Sequence, residues 1–128
     1  MGLYTEIQEL VAPGSATEGE RVDVSVRVRN IDLIHGHVVT CVAIYDGSAH
    51  FIDYSVIIPA GETYSFEGNF TMPNRDITIF AYSYYPYGAE WIVDDQAQKN
   101  VILAEMFRGT LSRKELEYDE SRASIPVR

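Results

Sequence analysis

The stretch Arg21-Val22-Asp23-Val24-Ser25-Val26-Arg27-Val28-Arg29-Asn30 decides the fold class. Valine stands at the even positions and polar residues at the odd ones, so an extended chain puts the valines on one face and the charges on the other. A helix would scatter the same valines around its circumference, and β-branched side chains favour strands. Gly19-Glu20 before the run and Asn30-Ile31-Asp32 after it supply turn chemistry.

Upstream, residues 4–11 read as a first strand ended by Pro13-Gly14. Downstream, residues 37–45 (HVVTCVAIY) form a β-rich run stopped by Asp46-Gly47, and residues 51–58 form another stopped by Pro59-Ala60-Gly61-Glu62. Tyr64, Phe66 and Phe70 fall on one face of the next strand. After Met72-Pro73-Asn74, residues 76–85 (DITIFAYSYY) place Ile77, Ile79 and Ala81 on one face and Thr78, Phe80, Tyr82 and Tyr84 on the other. The last strands are expected at residues 91–93 and 101–103, around a polar stretch at residues 94–100. Seven or eight short strands with turn signals about every ten residues, and no amphipathic helix, predict an all-β, immunoglobulin-like antiparallel β-sandwich. The sandwich is expected over residues 1–107, with an extended C-terminal arm or tail over residues 108–128.

The run GERVDVSVRVRN (19–30), then VAIYDG (42–47), the long run 58–84 beginning IPAGE, and DDQAQKN (94–100) resemble the CARDB-type and related bacterial and archaeal immunoglobulin-like modules. The shared features are a G-x-x-V-x-V-x-V-x-V-x-N strand, a Gly-Glu turn and a late Asp…Asn pair. The resemblance covers roughly residues 6–103 and implies the fold; the modules it points to serve as spacers, adhesins and parts of phage virions. The cysteines and tryptophan of antibody-type domains are not matched, since Trp91 comes late and Cys41 has no second cysteine to pair with.

At 128 residues and 46% apolar content the chain is long enough to bury one core and too apolar to be wholly disordered. Its net charge of −9 argues against nucleic acid as a partner, because phosphate demands basic surface. No apolar run approaches the length of a membrane span. The charge is uneven: residues 1–107 carry 15 acidic against 5 basic side chains, and residues 108–128 carry 4 against 5. The N-terminus shows no basic stretch followed by an apolar run, which points either to assembly in a cytoplasm or to a piece of a longer chain.

Searches for chemistry return little. Cys41 lies inside a strand and reads as a packing residue, and no G-x-S-x-G elbow is present. His35-Gly36-His37 and His50 sit in turns, with no third metal ligand fixed by spacing. Asp94-Asp95, preceded by Glu90, form an acidic cluster read as a loop, and whether it takes calcium is open. No catalytic residue, cofactor or metal ligand is therefore expected, and the chain is not read as an enzyme.

The unusual features are an aromatic stretch and the tail. Tyr82, Tyr84, Tyr85, Tyr87 and Trp91 fall close together around Pro86 and Gly88. Tyr82 and Tyr84 belong either to the core or to an aromatic outer face, while Tyr85, Tyr87 and Trp91 are read as contact residues of a loop at residues 85–91. In the tail, Leu111, Leu116, Tyr118, Ile125 and Val127 suit an arm that adds a strand to a neighbouring subunit. These features point to a structural subunit of a larger assembly, with other protein subunits as partners: an oligomeric phage or archaeal-virus virion protein (capsid decoration or tail), located in the virion and assembled in the host cytoplasm. The alternative is an extracellular or cell-surface module that recognises a glycan or a protein. Neither nucleic acid nor membrane is expected as a partner.

Overall fold

The computed structural model describes residues 2–47, 49–87 and 90–105. They form eight strands: β1 (Thr5–Val11), β2 (Ser15–Ala16), β3 (Arg21–Asn30), β4 (His37–Tyr45), β5 (Ile52–Ile58), β6 (Thr63–Thr71), β7 (Ile77–Tyr87) and β8 (Glu90–Leu103). One sheet has the order β1-β3-β6 and the other β2-β8-β7-β4-β5. The pairings are antiparallel except β2 with β8, where Ser15-Ala16 runs parallel to Ile102-Leu103. The chain therefore changes sheets at Pro13-Gly14, and the first stretch of chain serves both layers.

The valine ladder behaves as its alternation requires. Val22, Val24, Val26 and Val28 are buried, and β3 lies between β1 and β6 with Arg21, Asp23, Ser25, Arg27 and Arg29 turned outward and only the terminal Asn30 buried among its polar residues. Phe66 and Phe70 of β6 face the same core, as do Ile52, Ile58, Met72, Ile77, Ile79, Ala81 and Val101. Burying each large aliphatic or aromatic side chain here contributes about 1.5–3 kcal/mol, the dominant favourable term in a sandwich of this size. The two sheets meet at the β5–β6 side through Tyr54, which stacks near Phe66 (centroids 5.1 Å apart) and accepts a 3.0 Å hydrogen bond from the Glu67 amide. Gly68 makes that approach feasible, because a Cβ there would lie 2.5 Å from the Phe51 carbonyl oxygen.

Two expectations are corrected. Residues 94–100 are not a loop between two short strands: β8 runs unbroken from Glu90 to Leu103. Residues 85–91 are likewise not a free loop, because β7 continues to Tyr87 and pairs back through Tyr85↔Ile92 and Pro86↔Trp91. The polar run of β8 was misread because this strand has only the two-residue β2 beyond it, so few of its side chains need be apolar.

Candidate functional site

The parity of β7 settles where its aromatic residues go. Ile77, Ile79, Ala81 and Ser83 are buried toward the other sheet, so Thr78, Phe80, Tyr82 and Tyr84 face outward. Registry then assembles rows across the sheet. Ile44 stands beside Phe80 and Phe80 beside Gln98; Asp53, Val42, Tyr82 and Gln96 form the next row; Ser55, Thr40, Tyr84 and Val93 the one after. At the hairpin end the same face carries Ile57 beside Val38, and Pro86 beside Trp91. Ile57 is 72% exposed, Trp91 49% and Val93 47%. Asp53 is the only charged side chain among the described residues in these rows, and His50 Nδ1 lies 2.7 Å from its Oδ2. The outer face of the other sheet is the opposite in kind, with Arg21 paired to Asp23, Arg27 paired to Glu9, and Arg29 and Glu67 nearby.

Two depressions flank Tyr82 and Tyr84, whose rings are 6.5 Å apart. One, of about 320 Å³, is lined by Thr40, Val42, Asp53, Ser55, Tyr84 and Trp91. The other, of about 250 Å³, is lined by Phe80, Tyr82, Gln96, Ala97 and Gln98. Burial raises the Tyr84 phenol above its ordinary pKa, and the neighbouring Tyr82 and Asp53 add to the effect. The phenol is therefore a neutral hydrogen-bonding group at any physiological pH.

The acidic pair at Asp94-Asp95 has a different role from the one its composition suggested. Ser83 pairs with Asp95 and Tyr84 with Val93, so Asp94 is the extra residue of a β-bulge. The bulge turns its carboxylate toward the start of β1. There it accepts the amides of Leu3 (2.7 Å), Tyr4 (3.1 Å) and Thr5 (2.6 Å), and the Thr5 hydroxyl at 2.6 Å. Asp95 Oδ2 accepts the Ile7 amide at 2.8 Å, and the buried Thr5 and Ser83 hydroxyls bond each other. A Cβ on residue 2 would collide with the Asp94 carboxylate, so the approach requires Gly2. These carboxylates clamp β1 onto β8 and are committed to backbone donors, which is not the arrangement of a calcium loop.

Asp32 is engaged in a similar way. Asp32 accepts the Ile34 and His35 amides, with His37 Nε2 at 2.9 Å and His35 Nδ1 at 3.3 Å from its Oδ2. The His37 ring, followed by those amides and His35, holds the Asp32 carboxyl far below the usual carboxylate range. Cys41 is buried, and burial, helped by the charge of Asp53, pushes its thiol up to about 12. Among the described residues no group of three His, Cys, Asp or Glu side chains is placed to hold a metal ion.

Of the residues singled out from sequence, Tyr82, Tyr84 and Trp91 share one outward face. Tyr85 does not join them: it turns to the end of the sandwich and packs edge-on against Tyr4 at 4.7 Å, with Tyr4 in turn 4.9 Å from the His37 ring. Tyr87 closes β7 opposite Glu90. Leu111, Leu116, Tyr118, Ile125 and Val127 lie outside the described residues. Beside Phe80, which alternation already placed with Tyr82 and Tyr84, the face holds residues that sequence reasoning did not single out, namely Val38, Thr40, Val42, Asp53, Ser55, Ile57 and Val93. Val38, Thr40 and Val42 alternate with Val39, Cys41 and Ala43, but apart from Thr40 both sets are apolar, and only registry separates them.

No family model matches the chain, and no curated protein matches it either. Solved structures do. A CARDB domain from Pyrococcus furiosus, solved in complex with di-metal ions, superposes with a TM-score of 0.62 at 14% identity over 80% of this chain and 91% of that one. A chain of the human seminal-plasma complex between zinc 2-glycoprotein and prolactin-inducible protein matches with a TM-score of 0.61 at 13% identity, over 81% of this chain and 97% of that one. At such identities the likeness is one of fold. The chain is a CARDB-like, immunoglobulin-like β-sandwich.

Proposed function

We propose that this chain is a non-catalytic binding module that engages its partner through the outer face of the five-stranded sheet. The observation that carries the reading is the contrast between the two outer faces. In a chain of net charge −9, the face built on β4, β5, β7 and β8 holds one carboxylate among aromatic, aliphatic, hydroxyl and amide side chains. Depletion of charge with enrichment in Tyr and Trp is what marks the centre of a binding surface. The chemistry elsewhere agrees: the thiol is buried with a raised pKa, and the three histidines are each paired with an aspartate.

A second reading makes the chain a structural subunit of a larger assembly, such as a virion, with another protein on the same face. Size favours it. Four strands about 4.8 Å apart and about 35 Å long cover roughly 700 Å², close to the roughly 800 Å² per partner of a standard interface.

The test uses the full chain. Tyr82→Ser and Trp91→Ser are expected to lower stability by less than about 1 kcal/mol each, against about 2–5 kcal/mol for Ile79→Ala in the core. A loss above about 3 kcal/mol at Tyr82 or Trp91 would show that these rings hold the sandwich together, and would overturn the proposal. Sedimentation velocity separates the two readings. Association with concentration that Tyr82→Ser removes assigns the face to a protein subunit; a monomer at every concentration leaves it to another ligand.

A further inference from the structure

The binding reading leaves open what the face takes, and one part of it is specific in its chemistry. The depression of about 320 Å³ between β5 and β8 has a half-exposed indole at one side, the Tyr84 ring beside it, and a polar rim. Thr40 and Ser55 share a hydrogen bond there across β4 and β5, which leaves each hydroxyl oxygen further bonding capacity. Asp53, about half exposed, adds a carboxylate fixed by His50 at 2.7 Å. Aromatic surface is thus juxtaposed with two hydroxyls and an oriented carboxylate within one small hollow.

We infer that this hollow is a subsite for a neutral sugar ring, an inference that rests on the reading of the outer face as the binding surface. A pyranose has an apolar C–H face and a rim of hydroxyls that donate and accept. The C–H face matches the Trp91 and Tyr84 rings, and the hydroxyl rim matches Thr40, Ser55 and Asp53. Charge narrows the class further. Among the described residues the only carboxylate lining the hollow is Asp53, and the chain carries −9, so uronic and sialic acids meet repulsion both locally and at long range. The volume is at the lower end of small-ligand pockets, about 300–1,000 Å³, which suits the end of a glycan and not an extended chain. A protein partner would use the whole face and would gain little from a carboxylate placed within it, since charges are depleted at interface centres.

The experiment titrates the full chain with methyl glycosides and disaccharides of glucose, galactose, mannose and N-acetylglucosamine, with glucuronic and N-acetylneuraminic acids as the anionic arm. Binding is followed by the fluorescence of Trp91, the only tryptophan, and by amide chemical shifts. The expected result is a saturable response to at least one neutral sugar, with shifts confined to β4, β5, β7 and β8 around the hollow. Trp91→Ala is expected to abolish it and Asp53→Ala to weaken it about 10-fold, the loss of one charge-assisted hydrogen bond. Because the shift map needs no substitution, it stands even if a variant folds poorly. An equal response to the anionic sugars, or binding that survives Trp91→Ala in a folded variant, overturns the inference. No response to any sugar, together with self-association that Tyr82→Ser removes, overturns the sugar subsite and leaves the binding face standing. No response and no contact of any kind at this face overturns both.

Discussion

Replacing Asp94 with alanine is expected to destabilise the sandwich by about 3 kcal/mol, far more than a surface carboxylate ordinarily contributes. The magnitude follows from the donors left behind. The Leu3 amide is exposed and rehydrates at small cost, and the Thr5 hydroxyl keeps Ser83 as its partner. The Thr5 amide is different, because Thr5 is fully buried and its N–H has only the 2.6 Å bond to Asp94 among its described contacts. Leaving that donor unpaired costs about 1–3 kcal/mol, and the lost charge-assisted bond from the half-buried Tyr4 amide adds about 1 kcal/mol more. For a body of about 100 residues, 3 kcal/mol corresponds to a fall in Tm of roughly 15 °C. Gly2→Ala supplies an independent probe, since its Cβ would push the N-terminal segment off the same carboxylate. The assay is urea unfolding of the wild type, both single variants and the double variant. Gly2→Ala should cost less once Asp94 is alanine than in the wild type, without becoming neutral, because its Cβ would still collide with the Asp94 carbonyl oxygen; the shortfall from additivity is the signature of two residues sharing a contact. If Asp94→Ala costs under about 0.5 kcal/mol, or the two changes simply add, the clamp is not what fixes β1 to β8.

Two further outcomes follow from the titratable groups. Asp32 has a folded pKa held below its ordinary 3.8, so its ionised form contributes stability above that value and the contribution is lost as pH falls toward the folded pKa; acid unfolding curves of the wild type and Asp32→Asn should therefore converge below pH 3.8 and diverge above it, and parallel curves would refute the assignment. Cys41, with its thiol pushed up to about 12, should resist iodoacetamide at pH 8 in the folded chain and react once the chain is unfolded in guanidinium, whereas rapid labelling of the native protein would contradict its burial.

What could be read from sequence was what periodicity and partner agree on. Val22 to Val28 alternate with charges, so one reading of their faces is physically acceptable, and the structure has it. β7 offers two apolar faces, and nothing local chooses between Ile77-Ile79-Ala81 and Phe80-Tyr82-Tyr84. The choice is made by what faces each across the sandwich: the opposing sheet already brings four valines, Phe66 and Phe70, so the space left suits Ile79, Ala81, Cys41 and Ala43 and not a second layer of rings. β8 was illegible for another reason. Its outward residues are Trp91 and Val93 before the bulge and Gln96, Gln98 and Asn100 after it, so parity changes from odd to even at Asp94. Polar side chains carry no record of such a switch, because they tolerate either face at the margin of a sheet. The signal that survived was the acidic pair itself, whose role composition left open and geometry assigns to the N-terminal amides.

The same bulge explains how β8 presents uncharged side chains on the outer face of the five-stranded sheet. Paired without the bulge, the same sequence would carry the parity of Trp91 and Val93 on through β8 to Asp95, Ala97, Lys99 and Val101, sending an acid and a base onto the face opposite Tyr82 and Thr78 and removing Val101 from the core. With it, Trp91 and Val93 point outward together with the uncharged Gln96, Gln98 and Asn100, and Val101 stays buried. The bulge thus accommodates Asp94 without turning a charge onto the face, keeps Trp91 and Tyr84 on one side of the sheet, and supplies the carboxylate that fastens β1. Deleting Asp94 joins Val93, opposite Tyr84, directly to Asp95, opposite Ser83, so the ladder closes with its register and outward parity kept; the deletion should cost about as much stability as Asp94→Ala and leave the emission maximum of Trp91 unchanged. A deletion variant that folds with a shifted Trp91 emission would show that β8 re-registers and that Asp94 is not simply the extra residue of the ladder.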